Sequence, residues 1–133
     1  MAMKNPYQTY QTNKVETSSP AELTLMLYNG CLKFISQAQH AIENNAIEEK
    51  NTHLQKAQNI IRELMVTLKG DTELGKNMLA LYDFILNRLT EANLENNLTK
   101  LSEAEDLVKQ FRDTWKEALQ IDRKKRHGNG GEA

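Results

Sequence analysis

Few side chains in this sequence are typed and spaced for covalent chemistry. The nearest set is His53-Leu54-Gln55-Lys56-Ala57. Histidine phosphotransfer domains present a histidine on an exposed helix with a lysine three residues on and a small residue beside it. The lysine assists the phosphorylated imidazole, and the small residue admits the partner. Ala57 stands where those domains use glycine, and a solvated histidine beside a core Leu54 gives the same pattern. A di-iron bundle needs Glu-x-x-His on two helices plus further inward carboxylates. Here His40 and Glu43 run in the reverse order and Glu49 and His53 are four apart, so they read as surface residues and no metal is expected. Cys31 has no histidine beside it and reads as a packed small hydrophobe rather than a nucleophile. There is no glycine-rich phosphate loop and no plausible Ser/His/Asp set. The sequence therefore offers no catalytic residue, no metal ligand and no cofactor site.

The elements that must position these residues are helices. The chain has 133 residues, enough for one domain with a sizeable core. Its two prolines, Pro6 and Pro20, both lie in the first twenty residues, and glycine after Ala21 is confined to Gly30, Gly70, Gly75 and the tail. A β-sandwich or barrel needs turn residues far more often. The uncharged run from Leu23 to Leu32 is about half the ~20 residues of a membrane span. The start, Met1 to Pro6, lacks the apolar centre of a signal peptide. A lone cysteine fits a reducing compartment, so a cytoplasmic (bacterial cytosol) protein without direct membrane insertion is expected. Net charge is −1, giving no general pull toward nucleic acid. The run Arg123 to Arg126 makes residues 123–133 net +3, with −4 left for residues 1–122. Four cations closing a helix read as a solvated end that complements the helix dipole, and no nucleic-acid partner is expected.

Four helices follow from the apolar period. Residues 1–18 are polar with isolated aromatics, Tyr7 and Tyr10, and read as an extended N-terminal arm. Ser19-Pro20-Ala21-Glu22 starts a helix: a capping serine, proline at the first helical position, glutamate three residues after the cap. The expected spans are about 19–45, 47–69, 72–95 and 97–122, with a C-cap signal at Gly70 and a basic, disordered tail over 123–133. Short connections make neighbours antiparallel, so the predicted fold is all-α: an antiparallel up-down four-helix bundle over residues 19–122. The main apolar line of helix 3 is read as Leu74, Met78, Leu81, Ile85, Leu89 and Ala92. Two helices carry a second line: Leu25, Tyr28, Leu32 and Ile35 on helix 1, and Leu79, Tyr82 and Leu86 on helix 3. Such a face must be buried on something. Either the bundle interior covers it, or it lines an apolar groove for the arm, a partner, or both in turn.

The assembled pattern resembles the flagellar export chaperone family FliS. That family opens with a Tyr-rich arm, Val-x-Thr-(Ala/Ser)-Ser-Pro, then Leu-x-x-x-Leu-Tyr-x-Gly. This chain has Tyr7, Tyr10, Val15-Glu16-Thr17-Ser18-Ser19-Pro20, Leu23 and Leu27-Tyr28-Asn29-Gly30. Lys56-Ala57-Gln58-Asn59-Ile60-Ile61-Arg62-Glu63-Leu64, Asn77-Met78-Leu79-Ala80-Leu81-Tyr82-Asp83-Phe84 and the late Trp115 continue the resemblance over about residues 7–120. It implies a non-enzymatic export chaperone that binds the disordered C-terminal segment of flagellin, prevents premature polymerisation and keeps the subunit competent for flagellar type III secretion. Flagellar export-gate components are implied as further partners. On this reading Leu25, Tyr28, Leu32, Leu79, Tyr82 and Leu86 line the client-binding groove, with Ile60 and Val66 joining from helix 2. Tyr7 and Tyr10 form the N-terminal cap. A histidine phosphotransfer domain centred on His53 and a structural helical adaptor are the alternatives.

Overall fold

Inward-facing residues recur at alternating steps of three and four on every helix, the spacing that lets antiparallel helices interlock at shallow crossing angles. The line is Tyr28, Cys31, Ile35 and Ala38 on the first helix and Lys50, Leu54, Ala57, Ile61 and Leu64 on the second. On the third it is Gly75, Met78, Tyr82, Ile85, Leu89 and Ala92, and on the fourth Leu101, Ala104, Val108, Phe111 and Trp115. The structure, a computed structural model, describes residues 19–68 and 72–132, with side chains through Lys125. Within these residues run α1 (Pro20–Glu43), α2 (Ile47–Thr67), α3 (Glu73–Glu95) and α4 (Leu98–Glu132). They form a four-helix bundle in which α1 packs on α2 and α4, and α3 on α2 and α4. The expected arm, with Tyr7 and Tyr10, and the Gly70 cap signal lie outside the described residues.

The caps place the helix starts as read. The Ser19 hydroxyl accepts from the Glu22 backbone N–H at 3.1 Å, and Pro20 opens α1. The Thr72 hydroxyl does the same for the Gly75 N–H at 2.9 Å. At the other end of the bundle the α1–α2 and α3–α4 turns repeat one motif. Asn45 and Asn96 take φ of 56° and 53°, a left-handed conformation that asparagine tolerates better than most residues. Ala46 N–H then returns to Ala41 O at 2.8 Å, and Asn97 N–H to Ala92 O at 3.1 Å. These six-to-one bonds close both helix ends.

A buried lysine joins the two turns. Lys50 is 3% exposed, and its Nζ donates to Asn93 O at 2.8 Å and to Asn96 Oδ1. An ammonium at the carbonyl end of α3 satisfies orphan acceptors and complements the helix dipole. The turn end is therefore closed by polar contacts as well as by the core above it.

Two readings of the sequence need correction. On α3, Leu74 and Leu81 are exposed, and Tyr82 faces inward instead. The inward line must keep three-four steps through Ile85, Leu89 and Ala92, and Tyr82 continues those steps where Leu81 does not. At the C-terminus, α4 runs on through Glu132 instead of ending at 122 in a disordered tail. Arg123 to Arg126 are good helix formers and carry α4 past residue 122, and no proline interrupts the segment.

Candidate functional site

The end of the bundle opposite the asparagine turns is less completely packed. Among the described residues, α1 has no buried residue before Leu27, α2 none after Leu64 and α4 none after Val108. Ahead of Tyr82, α3 buries only Gly75. Two tyrosines mark the boundary. Tyr28 on α1 and Tyr82 on α3 reach across the bundle diagonal, 1% and 2% exposed, with their hydroxyls 2.5 Å apart. Phe111 of α4 packs against both rings, at 5.9 Å from Tyr28 and 5.1 Å from Tyr82. Burial raises both phenols above the ordinary tyrosine pKa, so the pair stays neutral. Above them Trp115 ties α4 to the first turn of α1, its Nε1–H donating to Ala21 O at 2.8 Å.

Where α2 ends and α3 begins, this open end forms a groove of about 440 Å³ lined by Met65, Lys76, Leu79, Ala80 and Asp83. Met65 and Leu79 are half-buried and supply its apolar surface, while Lys76, Ala80 and Asp83 are exposed at i, i+4 and i+7 along α3. Seven helical residues span about 10 Å. Methionine adapts to differently shaped apolar partners because it is unbranched and polarisable. The groove suits an apolar side-chain row with polar edges.

Of the residues read as groove-lining, Leu79 is in it. Leu32 and Leu86 are half-buried and packed on the core, and Leu25 is half-buried on the first turns of α1. Tyr28, Tyr82 and Ile60 are core residues, which corrects their placement on an open surface. Tyr28 and Tyr82 turn toward each other across the diagonal, and Ile60 is fully enclosed on α2. Val66 is 84% exposed beside Met65 but is not part of the lining. None of Met65, Lys76, Ala80 and Asp83 is among the residues read from the sequence as groove-lining. Only the i, i+4, i+7 run of two opposite charges about a small residue could have flagged the last three.

The groups considered for chemistry are placed differently. The Cys31 thiol is fully buried against Ala57 O, and burial pushes its pKa up to about 12, far from a reactive thiolate. His53 stacks on Phe34 with ring centroids 6.3 Å apart, and Lys56 Nζ sits 5.4 Å from the same ring. The His53 Nδ1 is buried without a hydrogen-bond partner among the described residues. Burial first, and then the nearby Lys56 charge, lower its pKa. Among the described residues no helix is long and apolar enough to cross a membrane.

Comparison with known proteins settles the family. The family model for the flagellar protein FliS matches residues 3–122. The chain belongs to the FliS family. It is 56% identical over 131 residues to the flagellar secretion chaperone FliS of Bacillus subtilis (strain 168), covering 98% of each chain. Against the flagellar secretion chaperone FliS of Escherichia coli (strain K12) it is 36% identical over 108 residues, 79% of each chain. A crystal structure of a flagellar chaperone from bacteria superposes with a TM-score of 0.71 at 20% identity, over 86% of this chain and 95% of that one. That likeness shows the shared bundle fold. FliS proteins are flagellar secretion chaperones, so the family is one of binding proteins rather than enzymes.

Proposed function

We propose that this FliS-family chaperone binds the disordered C-terminal segment of flagellin in the cytosol, prevents its premature polymerisation and delivers it to the flagellar type III export gate. The observation that carries the reading is the open groove between α2 and α3, with half-buried Met65 and Leu79 beside exposed charges. An amphipathic helix laid in a groove is a recurrent mode of recognition between proteins. Ordering a disordered segment costs about 2–5 kcal/mol of the gross interaction energy, so the client should extend beyond the groove onto further half-buried apolar residues. Leu25, Leu32 and Leu86 are candidates for that extension. Exposed Val66 is a candidate for the rim.

Tyr7 and Tyr10 of the N-terminal arm are proposed to cover the site between clients. Calorimetric titration of the chain with a flagellin C-terminal peptide tests the binding: micromolar or tighter affinity is expected, and no binding at micromolar concentration would sink the proposal. Deleting residues 1–18 should tighten binding or leave it unchanged. A large loss of affinity would make the arm part of the site instead of its cover.

A further inference from the structure

The groove carries two charged side chains, Lys76 and Asp83. Lys76 and Asp83 line it at opposite ends of the ridge Lys76–Ala80–Asp83, both are exposed, and neither forms an ion pair within the described residues. Between them Ala80 projects only a methyl group, which lets a second helix lie close to α3. A helix alongside α3 covers the same distance of about 10 Å in seven of its own residues.

We propose that the groove is keyed by charge. It selects, and sets the direction of, an amphipathic helix with an acidic and a basic residue seven positions apart at the edge of its apolar face. The acid lies against Lys76 and the base against Asp83, with apolar residues between them on Leu79 and Met65. A helix laid in the opposite direction meets like charge at both ends, and a helix with the same charge at both positions meets it at one. This rests on the proposed role of the groove as the client site, and it specifies the client's chemistry.

The chain's own first eighteen residues do not fit the key as a helix. Their charged side chains are Lys4, Lys14 and Glu16, which place acid and base twelve or two positions apart. The occupant with this signature is therefore a partner segment, whatever the arm does when no client is bound.

The test uses the full chain and two 18-residue amphipathic peptides with the same apolar face. One has Glu and Lys seven apart on its polar edge, and the other has Lys at both positions. Fluorescence anisotropy at low salt should show the wild-type chain preferring the Glu/Lys peptide by about three- to tenfold, the range expected when an exposed charge pair is replaced by a repulsion. The single reversal Lys76→Glu, which leaves an acid at both ends of the ridge, should prefer the Lys/Lys peptide, and 1 M salt should erase both preferences. The substitution is at an exposed position, and an unchanged thermal midpoint confirms that the fold is kept. Equal affinity of the wild type for the two peptides, failure of both to bind, or an unchanged preference after the reversal would overturn the key.

A flagellin C-terminal peptide run in parallel separates the two proposals. If it binds while the designed peptides show no preference, the charge key fails and the client reading stands. If it fails to bind while the designed pair shows the inverted preference, the client reading fails and the key stands.

Discussion

The Tyr28–Tyr82 pair gives the most quantitative test of how the bundle is held at the edge of its open end. The two hydroxyls are 2.5 Å apart, and the residues are 1% and 2% exposed. Among the described residues each hydroxyl is the other's hydrogen-bond partner. Tyr82→Phe keeps the ring against Phe111 but strands the Tyr28 hydroxyl in a dry site, and Tyr28→Phe does the converse. Leaving a buried polar group unsatisfied costs about 1–3 kcal/mol, whereas replacing both partners by apolar groups of the same shape is nearly neutral. Each single variant should therefore lose about 1–3 kcal/mol, and the double variant less than the sum of the two. In a chain of this size, 1 kcal/mol shifts the thermal midpoint by about 3–6 °C. Urea unfolding of all four proteins, followed by circular dichroism at 222 nm, closes the cycle. The expected coupling is at least about 1 kcal/mol. Additive losses, or a double variant worse than the sum, would refute the reasoning.

Three more outcomes follow from the closed half of the molecule. Lys50→Met keeps the apolar stem but removes the charge-assisted bonds to Asn93 O and Asn96 Oδ1, so a loss of about 1–3 kcal/mol is expected in thermal unfolding. Cys31, with its thiol pushed up to about 12 by burial, should resist a thiol reagent at pH 8 in the native chain and react promptly in 6 M guanidinium. His53 has a folded-state pKa below its ordinary value, so protons bind the unfolded chain better and stability falls as pH drops through the ordinary histidine range. The urea midpoint should fall between pH 7 and pH 5 in the wild type, and fall less in His53→Gln.

Helix number and starts were legible because their signals are local. Ser19-Pro20-Ala21-Glu22 caps α1 with its own side chains, and the expected start of the third helix at about residue 72 falls on the Thr72 cap. The family pattern was legible for a different reason: dispersed motifs fall in order along most of the chain. Which apolar line of α3 faces inward was not legible. Leu74 and Leu81 are as apolar as the true core residues, and the partner that draws Tyr82 inward is 54 positions away. The groove was half legible. Leu79 stood out as apolar, but Met65 belongs to neither second apolar line, and Lys76, Ala80 and Asp83 have no periodicity of their own. The end of α4 was missed because a basic run followed by glycines reads as a frayed end, whereas the structure continues the helix through Glu132.

The central claim, that client binding is seated where α2 meets α3 at the open end, is tested most directly by amide NMR of the chain with a flagellin C-terminal segment. The account predicts the largest shift changes at Met65, Lys76, Leu79, Ala80 and Asp83, with Lys50, Leu54 and Asn96 at the closed end unmoved. Changes concentrated at the closed end, or no changes at saturating peptide, would contradict it.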